Sequence, residues 1–289
     1  MRKFVKHYPL FFFFALAYGY SWAFWLILIA CSSLFNIRYD MYAWPLFWLT
    51  GLWGPSLSAI ILTGLQSGKM GVRALLSSLV RWRVGFIWYL FALLAIPASK
   101  LLVFAITVVL GSSIIDPARL LDLSGLLPAF LFFLVYGAPL QEELGWRGYA
   151  LPRLQERWGA LMGSLLLGIL WILWHLPLFW LPGSPYESAV QSQPFLPFFL
   201  NFAAYVLPST FLFTWLYNNA RGSVFLCLLL HAANNVSGSI ASMLGVTDYT
   251  QFNLVNNLII WLLAFIIIVA TRLNLSWQKQ QGQFVSAPV

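Results

Sequence analysis

Charge is what this sequence has least of. Of its 289 residues, 16 are Lys or Arg and 8 are Asp or Glu, a charged share of 8%. An ordinary soluble domain carries about 25%, so this chain cannot cover a water-facing surface of normal size. Disordered and ordinary cytosolic readings are thereby excluded. Cysteine is equally scarce. The two, Cys31 and Cys227, lie inside apolar runs and form no Cys-x-x-Cys, which leaves no disulfide scaffold, metal ribbon or thioredoxin-type site. What the chain does have is 61% hydrophobic residues, 18% aromatics and a mean hydropathy of +0.81. A composition this apolar calls for the bilayer as solvent.

The formal net charge is +8. In a soluble protein that sign would suggest nucleic acid. Here it is better read as the bias of Lys and Arg toward cytoplasmic loops of a membrane protein, and no nucleic-acid partner is expected. A span needs roughly 20 apolar residues. The pattern gives eight, at about 9–35, 42–66, 84–111, 125–146, 159–181, 194–218, 222–244 and 253–274. Thirteen basic residues then share the N-terminal side: Arg2, Lys3, Lys6, Lys69, Arg73, Arg81, Arg83, Arg147, Arg153, Arg157, Arg221, Arg272 and Lys279. Arg38 and Arg119 fall on the other side, and Lys100 falls within a span and has no assigned place. Both termini are therefore expected in the cytoplasm. Asp40, Asp116, Asp122, Glu187 and Asp248 fall in outer loops. The first run, near 20 residues, is longer than a signal-peptide core of about 7–15, so it is read as an anchor. The expected architecture is all-α, a polytopic membrane protein of about eight transmembrane helices, with 1–289 as one domain and a motif-bearing core at 125–245.

An ionisable side chain costs roughly 2.5–3.5 kcal/mol at the centre of a membrane helix, so such groups tend to face the bundle interior and act there. Polar residues break the apolar pattern in three places. The first is Gln141-Glu142-Glu143-Leu144-Gly145-Trp146-Arg147. Glu143 and Arg147 are i,i+4 and can pair, while Glu142 points about 100° away. Pro139 is placed to kink the helix just before them. An ordinary interfacial ion pair is the plain alternative. The second is Trp171-Ile172-Leu173-Trp174-His175, where a lone His in an apolar helix could equally be a structural hydrogen-bonding group. The third is His231-Ala232-Ala233-Asn234-Asn235. His231 and Asn235 share one face, and the plain reading is interhelical glue. Asn234 points elsewhere and receives no chemistry. Together, a carboxylate and a His can activate water, and a second His with an amide can donate to an oxyanion.

At these residues the sequence resembles the CPBP family, which includes the CAAX prenyl endopeptidases of the Rce1 type and the bacterial Abi membrane proteases. The Glu-Glu-x-x-x-Arg motif is matched by Glu142, Glu143 and Arg147, and the His-x-x-x-Asn motif by His231 and Asn235. The Phe-x-x-x-His motif is matched at His175, with Trp171 where Phe is usual. The resemblance implies an intramembrane endopeptidase opening toward the cytoplasm. It implies that Glu142 and His175 activate a water, that His231 and Asn235 stabilise the oxyanion, and that Glu143 and Arg147 hold the site in shape. Zinc through Glu142, His175 and His231 is the alternative. No His-Glu-x-x-His signature is present, so water activation without a metal or other cofactor is preferred.

Other designs fit less well. There is no Gly-x-Gly-Asp motif, and Gly238-Ser239 lacks serine-protease surroundings. A transporter or channel with a buried Glu/Arg/His path would call for inverted repeats, which are not seen. A non-catalytic immunity protein on the same fold would not need all six motif residues. The expected partners are membrane lipid and a peptide or membrane-anchored protein substrate, which the family's prenyl chemistry allows to be lipidated. The expected location is integral membrane, multi-pass, and the plasma membrane if the source is bacterial.

Overall fold

The computed structural model describes residues 2–35, 50–113, 124–184, 186–246 and 248–276. The expected loop markers Arg38, Asp40, Asp116, Arg119, Asp122 and Lys279, and the start of the second span at 42–49, lie outside them, as does the Ser239 side chain. Every described element is helical. In chain order these are α1 (Arg2–His7), α2 (Pro9–Phe35), α3 (Gly54–Ser77), α4 (Phe86–Val109), α5 (Leu126–Tyr136) and α6 (Pro139–Gly145). A π turn at Trp146–Ala150 leads into α7 (Leu151–Trp174), followed by α8 (Glu187–Ser192), α9 (Phe195–Asn219), α10 (Val224–Met243) and α11 (Tyr249–Ala270). In lipid the backbone must satisfy its own hydrogen bonds, which is why apolar runs of this length settle as helices.

Five stretches are long and apolar enough to cross a membrane: Pro9–Phe35, Phe86–Val109, Pro139–Trp174, Phe195–Asn219 and Tyr249–Ala270. Leu126–Tyr136 and Val224–Gly238 are shorter apolar helices. The chain is thus a multi-pass helical membrane protein. α3, which carries Gln66, Lys69 and Arg73, is not among these stretches. Its chain direction changes at Gly68, where φ is 64°. α7 breaks in the same way at Gly159, with φ 75°, a backbone state that glycine adopts without steric cost. Gly159 therefore separates Leu151–Trp158 from the apolar run 160–174, so Pro139–Trp174 is not one straight rod. A Cβ on Gly163 would lie 3.0 Å from the Leu154 and Gln155 backbone, so the chain folds back on itself there.

The helices bury one stripe and offer the rest to lipid. On α2 the buried positions are Phe13, Ala17, Ser21, Trp25 and Leu28, spaced by about one turn. Phe11, Leu26 and Ile27 on the other side are exposed. α2 packs on α3, α3 on α6, and α10 sits among α4, α5, α6 and α9. The α3–α6 approach is unusually close. A Cβ on Gly145 would meet the carbonyl carbon of Pro55 at 2.4 Å.

Segments assigned from their charge to one side do converge. Gln66 Nε2 donates to Tyr149 Oη at 2.8 Å and to the Val5 carbonyl at 3.4 Å. Gln155 and Asn218 exchange amide bonds, and Asn218 also donates to the Leu275 carbonyl at 3.2 Å. Arg81 Nη1 donates to the Arg221 carbonyl. Both described ends of the chain, and the loops near 66, 81, 155 and 221, therefore lie at one end of the bundle. Arg147 does not belong with them. It is fully buried in an ion pair, so the set of loop cations that marks this end is one smaller than its sequence position suggested.

Candidate active site

The site is built on a broken helix. The expected span 125–146 is not continuous and is not merely kinked at Pro139. α5 stops at Tyr136, Gly137 and Ala138 leave the helical region, and Pro139 opens α6 as a first-turn proline. Proline tolerates that position because its missing N–H has no intrahelical partner there. Ala138 takes φ 91°, a strained value for a residue with a side chain. The freed carbonyls find side-chain donors, as they must in apolar surroundings. Gln141 Nε2 donates to the Val135 carbonyl at 3.0 Å, and Asn235 Nδ2 donates to the Gly137 carbonyl at 2.8 Å. The π turn at Trp146–Ala150 follows directly, a local widening often found at functional sites.

α6 sends its two carboxylates to different partners. Glu143 Oε1 accepts from Arg147 Nη1 at 2.7 Å, the i,i+4 pair, and from His231 Nδ1 at 2.8 Å. Glu142 Oε2 accepts from two indoles, Trp146 Nε1 at 3.1 Å and Trp171 Nε1 at 2.7 Å. Glu142, Glu143 and Arg147 are all 1% exposed or less. The Arg147 guanidinium lies 4.4 Å from the Trp171 ring centre and 4.0 Å from that of Phe213. These faces attract the cation at positions where Nε and Nη2 have no hydrogen-bond partner among the described residues.

His175 does not sit inside a long fifth span reaching 181. α7 ends at Trp174, and a short 3₁₀ turn, Leu176–Phe179, follows. Pro177 explains the stop, because it disfavours helix at Leu176 and would collide with the previous turn. The backbone tightens, so that the His175 N–H bonds to Ile172 and Leu173 and no longer to Trp171. The Trp171 carbonyl is then free to accept from His175 Nδ1 at 2.7 Å. A carbonyl can only accept, so Nδ1 carries the proton and Nε2 carries the lone pair. Trp22 Nε1 closes the same helix end by donating to the Trp174 carbonyl at 2.9 Å.

All three motifs therefore meet, with Trp171 at their centre. Its ring is edge-on to His175 at 5.7 Å and to His231 at 5.6 Å. The expected Glu142–His175 pair is joined through Trp171, by indole on one side and carbonyl on the other. The direct carboxylate–imidazole bond is Glu143–His231, which sequence spacing gave no means to see. In axial rise, His231 is about 10 Å from the start of α10 and His175 about 20 Å beyond Ala160. The cluster thus lies inside the bundle.

Four partners were missed. Trp146 stands four residues after Glu142, a spacing that announces a shared helix face. Phe213, Tyr186 and Tyr205 carry no such signal. Tyr186 packs 6.1 Å from the His175 ring, and burial first, then the Glu142 charge, hold its phenol above the ordinary value. Among the described residues no three of His, Cys, Asp and Glu gather as a metal-ligand group. Glu142 and His175 are joined through Trp171, and His231 is bonded to Glu143.

Fold and site together define a polytopic helical membrane protein with a buried carboxylate–imidazole centre. Residues 124–237, which carry all three motifs, match the family described as type II CAAX prenyl endopeptidase Rce1-like. Over this segment the chain is similar to that family. It is also similar to CAAX prenyl protease 2 of Methanococcus maripaludis, with 36% identity over 121 residues, 42% of this chain and 43% of the relative. The match thus spans less than half of that relative's length.

Proposed function

We propose that this protein is an intramembrane endopeptidase that hydrolyses a peptide bond with a water activated by Glu142 and His175. The observation that carries the reading is the double use of Trp171, which holds Glu142 Oε2 by its indole and the His175 Nδ1–H by its carbonyl. Glu142 is thereby kept in place with Oε1 clear of both indoles, and His175 is kept in the tautomer that can accept a proton at Nε2. A water between them loses a proton to this pair as its oxygen adds to the substrate carbonyl carbon. The negative charge passes to the carbonyl oxygen. The C–N bond then breaks, and the same proton goes to the leaving amine.

His231 and Asn235 suit the oxyanion. Nδ1 of His231 is committed to Glu143, which leaves Nε2 as the ring nitrogen for the oxyanion. Water activation proceeds without a metal in this reading, in keeping with the absence of a His-Glu-x-x-His signature. The substrate is a membrane-anchored peptide or protein, and the prenyl chemistry in the relative's name makes a lipidated C-terminal peptide the first to try.

The test is cleavage by the full chain in liposomes, offered a prenylated peptide and its unmodified counterpart. Cleavage is expected from wild type and not from Glu142→Ala or His175→Ala. Activity that survives both substitutions rejects the site. Activity lost to a chelator and restored by zinc rejects the metal-free mechanism.

A further inference from the structure

One intramembrane cation has no part in the site described so far. Lys100 on α4 is 9% exposed, and its Nζ lies 4.6 Å from the ring centre of Tyr205 and 5.8 Å from that of Phe252. Among the described residues it has no salt-bridge partner. Tyr205 in turn donates its hydroxyl to Asn234 Oδ1 at 2.5 Å. Asn234 Nδ2 donates to Asn235 Oδ1 at 3.3 Å, and Asn235 Nδ2 donates to the Gly137 carbonyl at 2.8 Å. The line runs from α4 through α9 and α10 to the helix break that presents Glu142.

The direction of this line is forced. The Gly137 carbonyl can only accept, so Asn235 must turn its NH₂ toward it and its Oδ1 toward Asn234. Asn234 must then offer its own NH₂, which leaves its Oδ1 for Tyr205. That oxygen cannot donate, so the phenol must. One of the two Asn235 Nδ2 hydrogens is used on Gly137, and the other remains. Asn235 is one turn beyond His231 on the same face of α10, which places its carboxamide beside the site. A cation over the Tyr205 ring withdraws electron density and strengthens its O–H as a donor, and chains of hydrogen bonds reinforce one another in low dielectric.

We propose that Tyr205 is a positioning residue of the active site, with Lys100 over its ring. Through Asn234 it fixes the Asn235 carboxamide so that its remaining N–H meets the developing oxyanion. This rests on the endopeptidase reading above. A flipped Asn235 would present a carbonyl oxygen to the oxyanion and repel it, so losing the phenol acts on the transition state more than on substrate binding.

The experiment uses the full chain in liposomes with the cleaved peptide, and the variants Tyr205→Phe, Asn235→Ala, the two combined, Lys100→Met and Lys100→Arg. Tyr205→Phe is expected to lower kcat by about 10-fold or more with KM within about twofold. The combined variant should be no slower than Asn235→Ala alone. Lys100→Met should lower kcat by about 3- to 10-fold and Lys100→Arg should restore most of it. Unchanged kcat in Tyr205→Phe, or losses that multiply in the combined variant, overturns the proposal. If wild type cleaves no peptide, the endopeptidase reading is what fails. Thermal midpoints of the same chains then decide the network: Tyr205→Phe and Asn235→Ala should be non-additive, and additive shifts reject it.

Discussion

The indole N–H of Trp171 donates to Glu142 Oε2 at 2.7 Å, across 29 positions of sequence. Phe is usual at this place in the motif that the sequence resembles, and Phe has no such donor. Here the second motif reaches the first through this side chain and holds its carboxylate, with Trp146 as the other donor.

Glu142→Gln is the cleanest test of that carboxylate. The glutamine oxygen can still accept both indole bonds, so the fold should persist. The proton-accepting group is gone. Cleavage in liposomes should fall by roughly 10²–10⁴-fold, the range contributed by a positioned acid–base group, with an unchanged elution profile in detergent.

Trp171→Phe should keep the ring between Arg147, His175 and His231 and remove only the N–H. A hydrogen bond to a charged group is worth about 1.5–3 kcal/mol, so kcat should drop by about 10- to 100-fold. Trp171→Ala should do more and also lower thermal stability, because the Arg147 guanidinium loses one of its two aromatic faces.

Breaking the Glu143–Arg147 pair should cost stability before it costs chemistry. Both side chains are fully buried. Arg147→Met leaves Glu143 with only His231 to neutralise it, and removal of one partner from a buried pair costs about 3–5 kcal/mol. Thermal unfolding in detergent should show a clear drop, and adding Glu143→Gln should recover part of it.

Gly145→Ala probes the scaffold under the site. Its new Cβ would lie 2.4 Å from the Pro55 carbonyl carbon and 2.5 Å from its oxygen. Backbone cannot rotate out of the way as a side chain can. Overpacking of this kind costs about 1–3 kcal/mol or more, so the variant should give less folded protein and a lower thermal midpoint, while Gly19→Ala, with nothing within 4 Å, should match wild type.

Opposite-side labelling checks the orientation. A single cysteine at Lys69 should react only from the cytoplasmic side and one at Glu187 only from outside, in sealed cells with an impermeant thiol reagent. Reaction of both from the same side would contradict the positive-inside assignment.

Much of this was legible in the chain. The apolar runs announced α2, α4, α9 and α11 to within a few residues, because lipid leaves the backbone no other solution. The Glu143–Arg147 pair followed from i,i+4 spacing. Other features were not legible, for physical reasons. Gly137 and Pro139 announce a kink, but a full break depends on Asn235, which holds the Gly137 carbonyl from a helix 98 positions later. The end of α7 at Trp174 could have been placed from Pro177. The use of the released Trp171 carbonyl by His175 could not, since it depends on where the tightened backbone leaves that oxygen. Lys100 and Asn234 had no assigned role because their partner, Tyr205, lies on a third helix.

The sequence by itself determined the solvent, the helical class and the residue types of the site. Scarce charge excludes a water-facing surface, and ionisable groups stay in lipid only where other groups hold them. The tertiary structure decided the pairings: Glu143 with His231, Glu142 with two indoles, His175 with a main-chain carbonyl. Spacing fixes what shares a face on one helix. Which faces meet depends on how α6, α7, α9 and α10 pack, and that is set by close approaches such as Gly145 on Pro55 and by a helix broken where a distant amide can hold its end.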